Sequence, residues 1–296
     1  SGVNTMDALP ALVSAAFPAA RIVAQETLKG GVSADVKLVE LKLGDGSVKR
    51  CVLRAHGKTH CGHPPELEFQ LLSALHDFGL PVARPLAFRA GGENDGLPCV
   101  LSEYAEGSTA ISAAEADTRI DVMAWQLAAL HTAPTHALPE LPKRTDPQPE
   151  LLAFLPDTTD WAPMRKRIAH LGPQPFDGSL SLLHGDYWPA NIVWQDDRIA
   201  AVIDREDAAL GDPLSDVACA QLELRYVLGP WGAERFLNAY AQHREIDPVR
   251  LALWQAYVAA AGAKSMGGWG LEADRVATMR AIAHESVREA ARVFAG

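Results

Sequence analysis

The chain is poor in cysteine and poorer still in cysteine pairing. Its four cysteines, Cys51, Cys61, Cys99 and Cys219, are scattered, and no two form a C-x-x-C pair. Reduced, mostly buried thiols in a cytoplasmic protein are therefore expected. No uninterrupted apolar stretch approaches the roughly 18 residues of a membrane span, so no membrane segment is expected. No basic segment followed by an apolar run opens the chain, so no signal peptide is expected either. Positive charge is also short, with 27 Lys and Arg against 37 Asp and Glu and a net charge of -10. That balance argues against a general affinity for nucleic acid or an anionic membrane. It suits a cationic small substrate, although a solvated acidic surface explains it equally well. There is no internal repeat and no low-complexity tract. What remains is ordinary for a soluble globular protein: 296 residues, 48% hydrophobic and 22% charged, enough for one large domain or two modest ones.

The first third reads as strands. Val39, Leu41 and Leu43 alternate with Glu40 and Lys42, a period of two. Gly44-Asp45-Gly46 is a hairpin signal, and Ser47 to Arg54 returns as the partner strand. Pro64-Pro65 opens a helix carrying Glu68, Leu72 and Leu75 on one face, ended by Gly79 and Pro81. Leu86 to Phe88 and Cys99 to Glu103 read as two more strands. After Gly107 the texture turns helical, first over 118–131, where Ile120, Met123, Leu127 and Leu130 keep helical spacing. Residues 133–148 are proline-rich and read as a loop. Helices are expected over 215–227, 232–242, 248–261 and 272–294. Two short strands interrupt them, near Ile192 to Trp194 and Ala200 to Ile203. The pattern is α+β in two parts, residues 1–104 and 105–296.

The chemistry concentrates in His184-Gly-Asp-Tyr-Trp-Pro-Ala-Asn191, which fits H-x-D-x-x-x-x-N. An apolar run, Ile199 to Ile203, then leads into Asp204. Three polar residues there suit one reaction. Asp186 can orient a hydroxyl and accept its proton, while Asn191 and Asp204 offer hard oxygens to Mg²⁺ on nucleotide phosphates. His184 could act in catalysis or hold the loop backbone. A rival site, His56-x(3)-His60-Cys61-x-His63, has ligand-type residues but no established zinc spacing and reads as a solvated loop.

These residues carry a resemblance. The run from His184 to Trp194, with Val202-Ile-Asp-Arg-Glu-Asp-Ala-Ala-Leu-Gly-Asp-Pro-Leu-Ser-Asp216, resembles the aminoglycoside phosphotransferase family. That family and the choline kinases share the bilobal protein-kinase-like fold. The match is specific over 182–218, looser over 28–131 and general beyond 220. It implies an N-terminal antiparallel sheet lobe with one helix and a larger helical lobe, with ATP and Mg²⁺ between them. It puts Gly30, Gly31 and Ser33 in a loop covering the nucleotide, where glycines let backbone N–H groups reach phosphates. It puts Arg54 where relatives use lysine or arginine, with Glu68 as its helix partner and Glu66 as the fallback. It makes Ser102 to Gly107, with Glu103 and Ala105, the hinge that holds the base. Asp212 and Asp216 match positions that fix the loop after the metal site. Arg205 could contact a phosphate or pair with Glu206 or Asp207.

The resemblance thus implies an ATP-dependent kinase of a small-molecule hydroxyl, such as an aminoglycoside, a macrolide or an amino alcohol. A protein kinase is disfavoured, because Asp204 is followed by Arg-Glu and no Ala-Pro-Glu closes an activation segment. A catalytically silent nucleotide-binding module is the reading of a different class, and the intact Asp186, Asn191 and Asp204 argue against it.

Overall fold

The structure is a computed structural model that describes residues 8–28, 34–57, 62–92 and 96–294. Its elements, in chain order, begin with α1 (Leu9–Ala16), β1 (Arg21–Thr27), β2 (Ala34–Lys42), β3 (Val48–His56), α2 (Pro65–Asp77), β4 (Pro85–Arg89) and β5 (Cys99–Glu103). They continue with α3 (Ala116–His131), β6 (Lys143–Arg144), α4 (Gln148–Phe154), α5 (Ala162–Leu171), β7 (Ser181–Leu183), β8 (Ile192–Gln195) and β9 (Arg198–Val202). The last are β10 (Ala209–Gly211), α6 (Leu214–Leu228), α7 (Pro230–Ala241), α8 (Pro248–Ser265) and α9 (Ala273–Phe294).

Two compact units divide the chain. The first takes Ser1–Thr109, His136–Glu140 and Ile192–Asp207. Its centre is an antiparallel sheet in the order β1-β2-β3-β5-β4. The alternation in β2 puts Val39 and Leu41 fully inside. They pack with Leu53 and Leu101 against Leu9, Leu12 and Val13 of α1. Full burial of each such side chain contributes about 1.5–3 kcal/mol. This unit therefore carries two helices, not the one expected. The eight residues of α1 give barely two turns of periodicity, too little to register in the sequence.

A single cut after residue 104 does not describe the units, because the chain returns to the first at β8. Ser108 and Trp194 exchange backbone hydrogen bonds at 3.0 and 2.8 Å, and Val202 N–H donates to Pro81 O at 2.9 Å. Gly107 permits the approach. Its φ is +146°, and a Cβ there would meet the Trp194 carbonyl oxygen.

The second unit is mainly helical. Alanines 252, 256, 259, 260 and 263 of α8 share one buried cluster with alanines 283, 290 and 291 of α9, small side chains that let two helices pack closely. Asp247 caps α8, accepting from the N–H groups of Val249 and Arg250. The sheet β6-β10-β7 is short, but it pins Ser181 to Leu183, all buried, immediately before His184. Helices α6 to α9 begin and end within a few residues of the spans expected. The expected loop 133–148 holds β6 and the first residue of α4. No described helix is long and apolar enough to cross a membrane.

Candidate active site

The catalytic-type loop lies in the second unit and is held by one carboxylate. Asp216, on the first turn of α6, is fully buried. It accepts the backbone N–H of His184 at 2.8 Å through Oδ2 and that of Gly185 at 2.9 Å through Oδ1. His131 Nε2, from the end of α3, lies 2.9 Å from the same Oδ2, and His131 Nδ1 lies 2.8 Å from the Tyr240 hydroxyl. Burial alone would raise the Asp216 carboxyl. The hydrogen bond and electrostatic pull of His131, with the Gly185 N–H, outweigh it and hold the group below its ordinary range. Gly185 has φ +90°, a conformation few other residues adopt, so the strap needs glycine there.

His184 is fully buried, and its Nδ1 accepts the N–H of Asp186 at 3.0 Å. That nitrogen is therefore committed to the loop. Asn191 Nδ2 donates to Asp186 O at 2.8 Å and to Asp186 Oδ2 at 3.1 Å. Both bonds use the amide nitrogen, which leaves the Asn191 Oδ1 oxygen to a cation. Tyr187, buried, donates its hydroxyl to Met123 O at 2.8 Å. The result is a half-buried Asp186 whose backbone and carboxylate are both fixed, the arrangement a positioned base requires.

Asp212 fixes the segment beyond. Its Oδ2 accepts from Trp254 Nε1 at 2.8 Å and from Arg250 Nε at 3.0 Å, and its Oδ1 accepts the Leu214 N–H.

The first unit holds a cavity of ≈ 200 Å³. Leu28, Val36, Val52, Leu72, Val193 and Val202 give it apolar walls, and Ser102 to Ala105 form one edge. Glu103 N–H donates to Arg84 O and Tyr104 N–H to Arg50 O. Among the described residues Ala105 N–H has no backbone partner, so it is the donor this segment can offer a ligand. The Glu103 side chain takes Lys49 at 2.8 Å.

Arg54, Glu68, Asp204 and Arg205 also line the cavity. Here the expected Arg54–Glu68 pair is not formed. Arg54 Nη1 donates to Asp204 Oδ1 at 3.1 Å and Nη2 to Glu206 Oε2 at 3.2 Å. Glu68 Oε2 stands 3.0 Å from His56 Nε2 instead. The cause is strand geometry: His56 is two residues beyond Arg54, on the same face of β3, and meets α2 first. The fallback partner Glu66 is exposed. Asp204 has φ +56°, a left-handed conformation uncommon outside glycine and found at functional sites.

Gly30, Gly31 and Ser33 lie outside the described residues, as do His60 and Cys61 of the histidine-rich loop. Among the described residues no group of three or more His, Cys, Asp or Glu side chains could hold a metal ion. Cys51, Cys99 and Cys219 are free. Burial pushes the Cys51 thiol up to about 11 and the Cys219 thiol well above its ordinary value.

The model of the phosphotransferase enzyme family matches residues 24–254. The chain belongs to that family. Solved structures share its protein-kinase-like fold at low identity. A putative aminoglycoside phosphotransferase from Ralstonia eutropha JMP134 is 22% identical with a TM-score of 0.69, over 97% of this chain and 98% of that one. The choline kinase LicA from Streptococcus pneumoniae is 19% identical with a TM-score of 0.64, over 96% and 99%. A thermostable mutant of the aminoglycoside phosphotransferase APH(4)-Ia, solved with AMP-PNP and hygromycin B, is 18% identical with a TM-score of 0.63, over 92% and 95%. No curated protein matches.

Two carboxylates beside the candidate residues escaped the sequence. Glu206 entered only as a partner for Arg205, because nothing in a sequence shows how far the Arg54 fork reaches. Glu223 on α6 was not singled out at all. Burial and the charge of Asp186 push its carboxyl up to about 7, against the opposing charge of Arg275. Its signal was available: Asp216, Cys219 and Glu223 follow each other at helical spacing, so Glu223 continues the face that grips the loop.

Proposed function

We propose that this phosphotransferase moves the γ-phosphoryl of ATP to a hydroxyl group of a small molecule. The observation that carries the reading is the fixation of Asp186, whose N–H is held by His184 and whose carboxylate is held by Asn191. A carboxylate so placed orients the acceptor hydroxyl and takes its proton as the bond to phosphorus forms. His184 then acts by positioning Asp186.

Asn191 Oδ1 and the Asp204 carboxylate would hold Mg²⁺, a cation that takes oxygen ligands. When bound, the ion neutralises charge on the transferring phosphate oxygens. Arg54 suits a phosphate as well, because its buried Nε–H has no partner among the described residues. The adenine would lie on the apolar walls of the cavity, with the Ala105 N–H as donor. By resemblance Gly30, Gly31 and Ser33 would cover the phosphates.

We take the acceptor to be cationic. Glu223 and Asp186 are two carboxyl groups within electrostatic reach of each other, with burial raising the first. An ammonium group in that place would relieve both the burial cost and the repulsion. The test is ATP consumption across a library of hydroxyl compounds, with Asp186→Ala as control. Acceptor-dependent turnover that the variant lacks supports the reading. Acceptor-independent turnover, or none with any compound, ends it.

A further inference from the structure

The partner of Arg54 decides how this chain handles its nucleotide, and that partner is not the helix glutamate. One guanidinium bridges two carboxylates two residues apart, Asp204 through Nη1 at 3.1 Å and Glu206 through Nη2 at 3.2 Å. The two carboxylates differ. Asp204 is about half exposed at 48%, in a left-handed backbone conformation, while Glu206 is 33% exposed. The Arg54 side chain is only 18% exposed, and its third nitrogen donor, Nε–H, is buried without a partner among the described residues. Glu68 Oε2 lies 3.0 Å from His56 Nε2 rather than on Arg54.

We propose that Glu206 is a positioning residue that anchors Arg54 while Asp204 is its exchangeable partner. Resting on the nucleotide–Mg²⁺ reading of the cavity, the argument is one of competition. Asp204 cannot give its full charge to a metal ion while it holds Arg54, since cation and guanidinium contend for the same carboxylate. A second carboxylate resolves the conflict. With Nη2 kept on Glu206, the guanidinium stays in the cavity when Asp204 turns to the metal, and Nη1 is released to join Nε–H on phosphate oxygens. Without Glu206, Arg54 has only Asp204 to satisfy it, and a metal must then break that pair. Glu206 thereby couples metal binding to nucleotide binding.

The experiment measures that coupling and needs no turnover. ADP is titrated calorimetrically into the purified protein, once with Mg²⁺ and once with EDTA, and the ratio of the two dissociation constants is taken. Wild type should show a clear Mg²⁺ advantage. In Glu206→Gln the ratio should fall by about tenfold, the scale of one charge-assisted hydrogen bond. In Arg54→Met, adding Glu206→Gln should change the ratio no further, because the two act as one unit. Loss of thermal stability in Glu206→Gln with an unchanged ratio would mark a merely structural role and overturn the proposal. So would a fall of the ratio in Glu68→Gln but not in Glu206→Gln. Wild type that binds ADP under neither condition would refute the nucleotide reading itself, and this proposal with it.

Discussion

His131 Nε2 and Asp216 Oδ2 meet at 2.9 Å with both side chains fully removed from solvent. The pair joins α3 to α6, and through Asp216 it reaches the backbone of His184 and Gly185. A buried carboxylate with three donors is stable, and the same carboxylate with one removed is not.

His131→Ala should therefore destabilise the protein by about 1–3 kcal/mol or more, the cost of leaving a buried carboxylate short of one donor. Asp216→Asn should also destabilise, because an amide cannot accept from His131 and both backbone donors at once. The double variant should lose less than the sum of the two. Urea unfolding of the three variants checks this, and simple additivity would show that the residues do not act together. The pH sign follows from the depressed Asp216 carboxyl. Its contribution is present above the ordinary carboxylate range and is lost as pH falls through the folded-state value.

Asp186→Ala should lower kcat by at least about 10²-fold, the scale of a lost general base. ADP affinity should change far less, because the proton that Asp186 accepts belongs to the acceptor. Single-turnover kinetics with ADP titration separates the two quantities. Near-normal kcat on a true acceptor would remove Asp186 from its role.

Legibility in the sequence followed the range of the interaction. The alternation of Val39 and Leu41, the Pro65 helix start and the spans of α6 to α9 were readable, because propensity and period act within a few residues. Asp186, Asn191 and Asp204 stood out because their spacing is itself a pattern, and the structure joins the first two by hydrogen bonds. The partner of Arg54 was not. Glu68 and Glu206 are both acidic and both line up with an apolar element, and only the position of His56 on β3 decides between them. The return of β8 to Ser108 was hidden for the same reason, because it depends on a long-range backbone exchange that no local signal announces.

Asp204→Ala should abolish most of the Mg²⁺ advantage in nucleotide binding, and Asn191→Ala should reduce it less. A charged oxygen is removed in the first case and a neutral one in the second. Calorimetry with and without Mg²⁺ reads both. Equal Mg²⁺ dependence in wild type and Asp204→Ala would falsify the assignment.

Glu223 should make stability depend on pH near neutrality. Its folded-state value is about 7, above the ordinary 4.5, because burial and Asp186 oppose ionisation. Through that window the folded state holds a proton that the unfolded state has released. Stability is therefore lost as pH rises from the unfolded to the folded value, by up to about 3 kcal/mol in all. Glu223→Gln carries no such group. Its melting temperature relative to wild type should rise between about pH 5 and pH 7 and then level off. A cationic acceptor should reverse part of the cost by drawing Glu223 into its ionised form. Binding at pH 7 should then release up to about half a proton in wild type and none in Glu223→Gln, which calorimetry in buffers of different ionisation enthalpy detects. A melting difference that stays flat with pH would mean that Glu223 titrates in its ordinary range. Equal proton release by both proteins would mean that the acceptor's charge is read elsewhere.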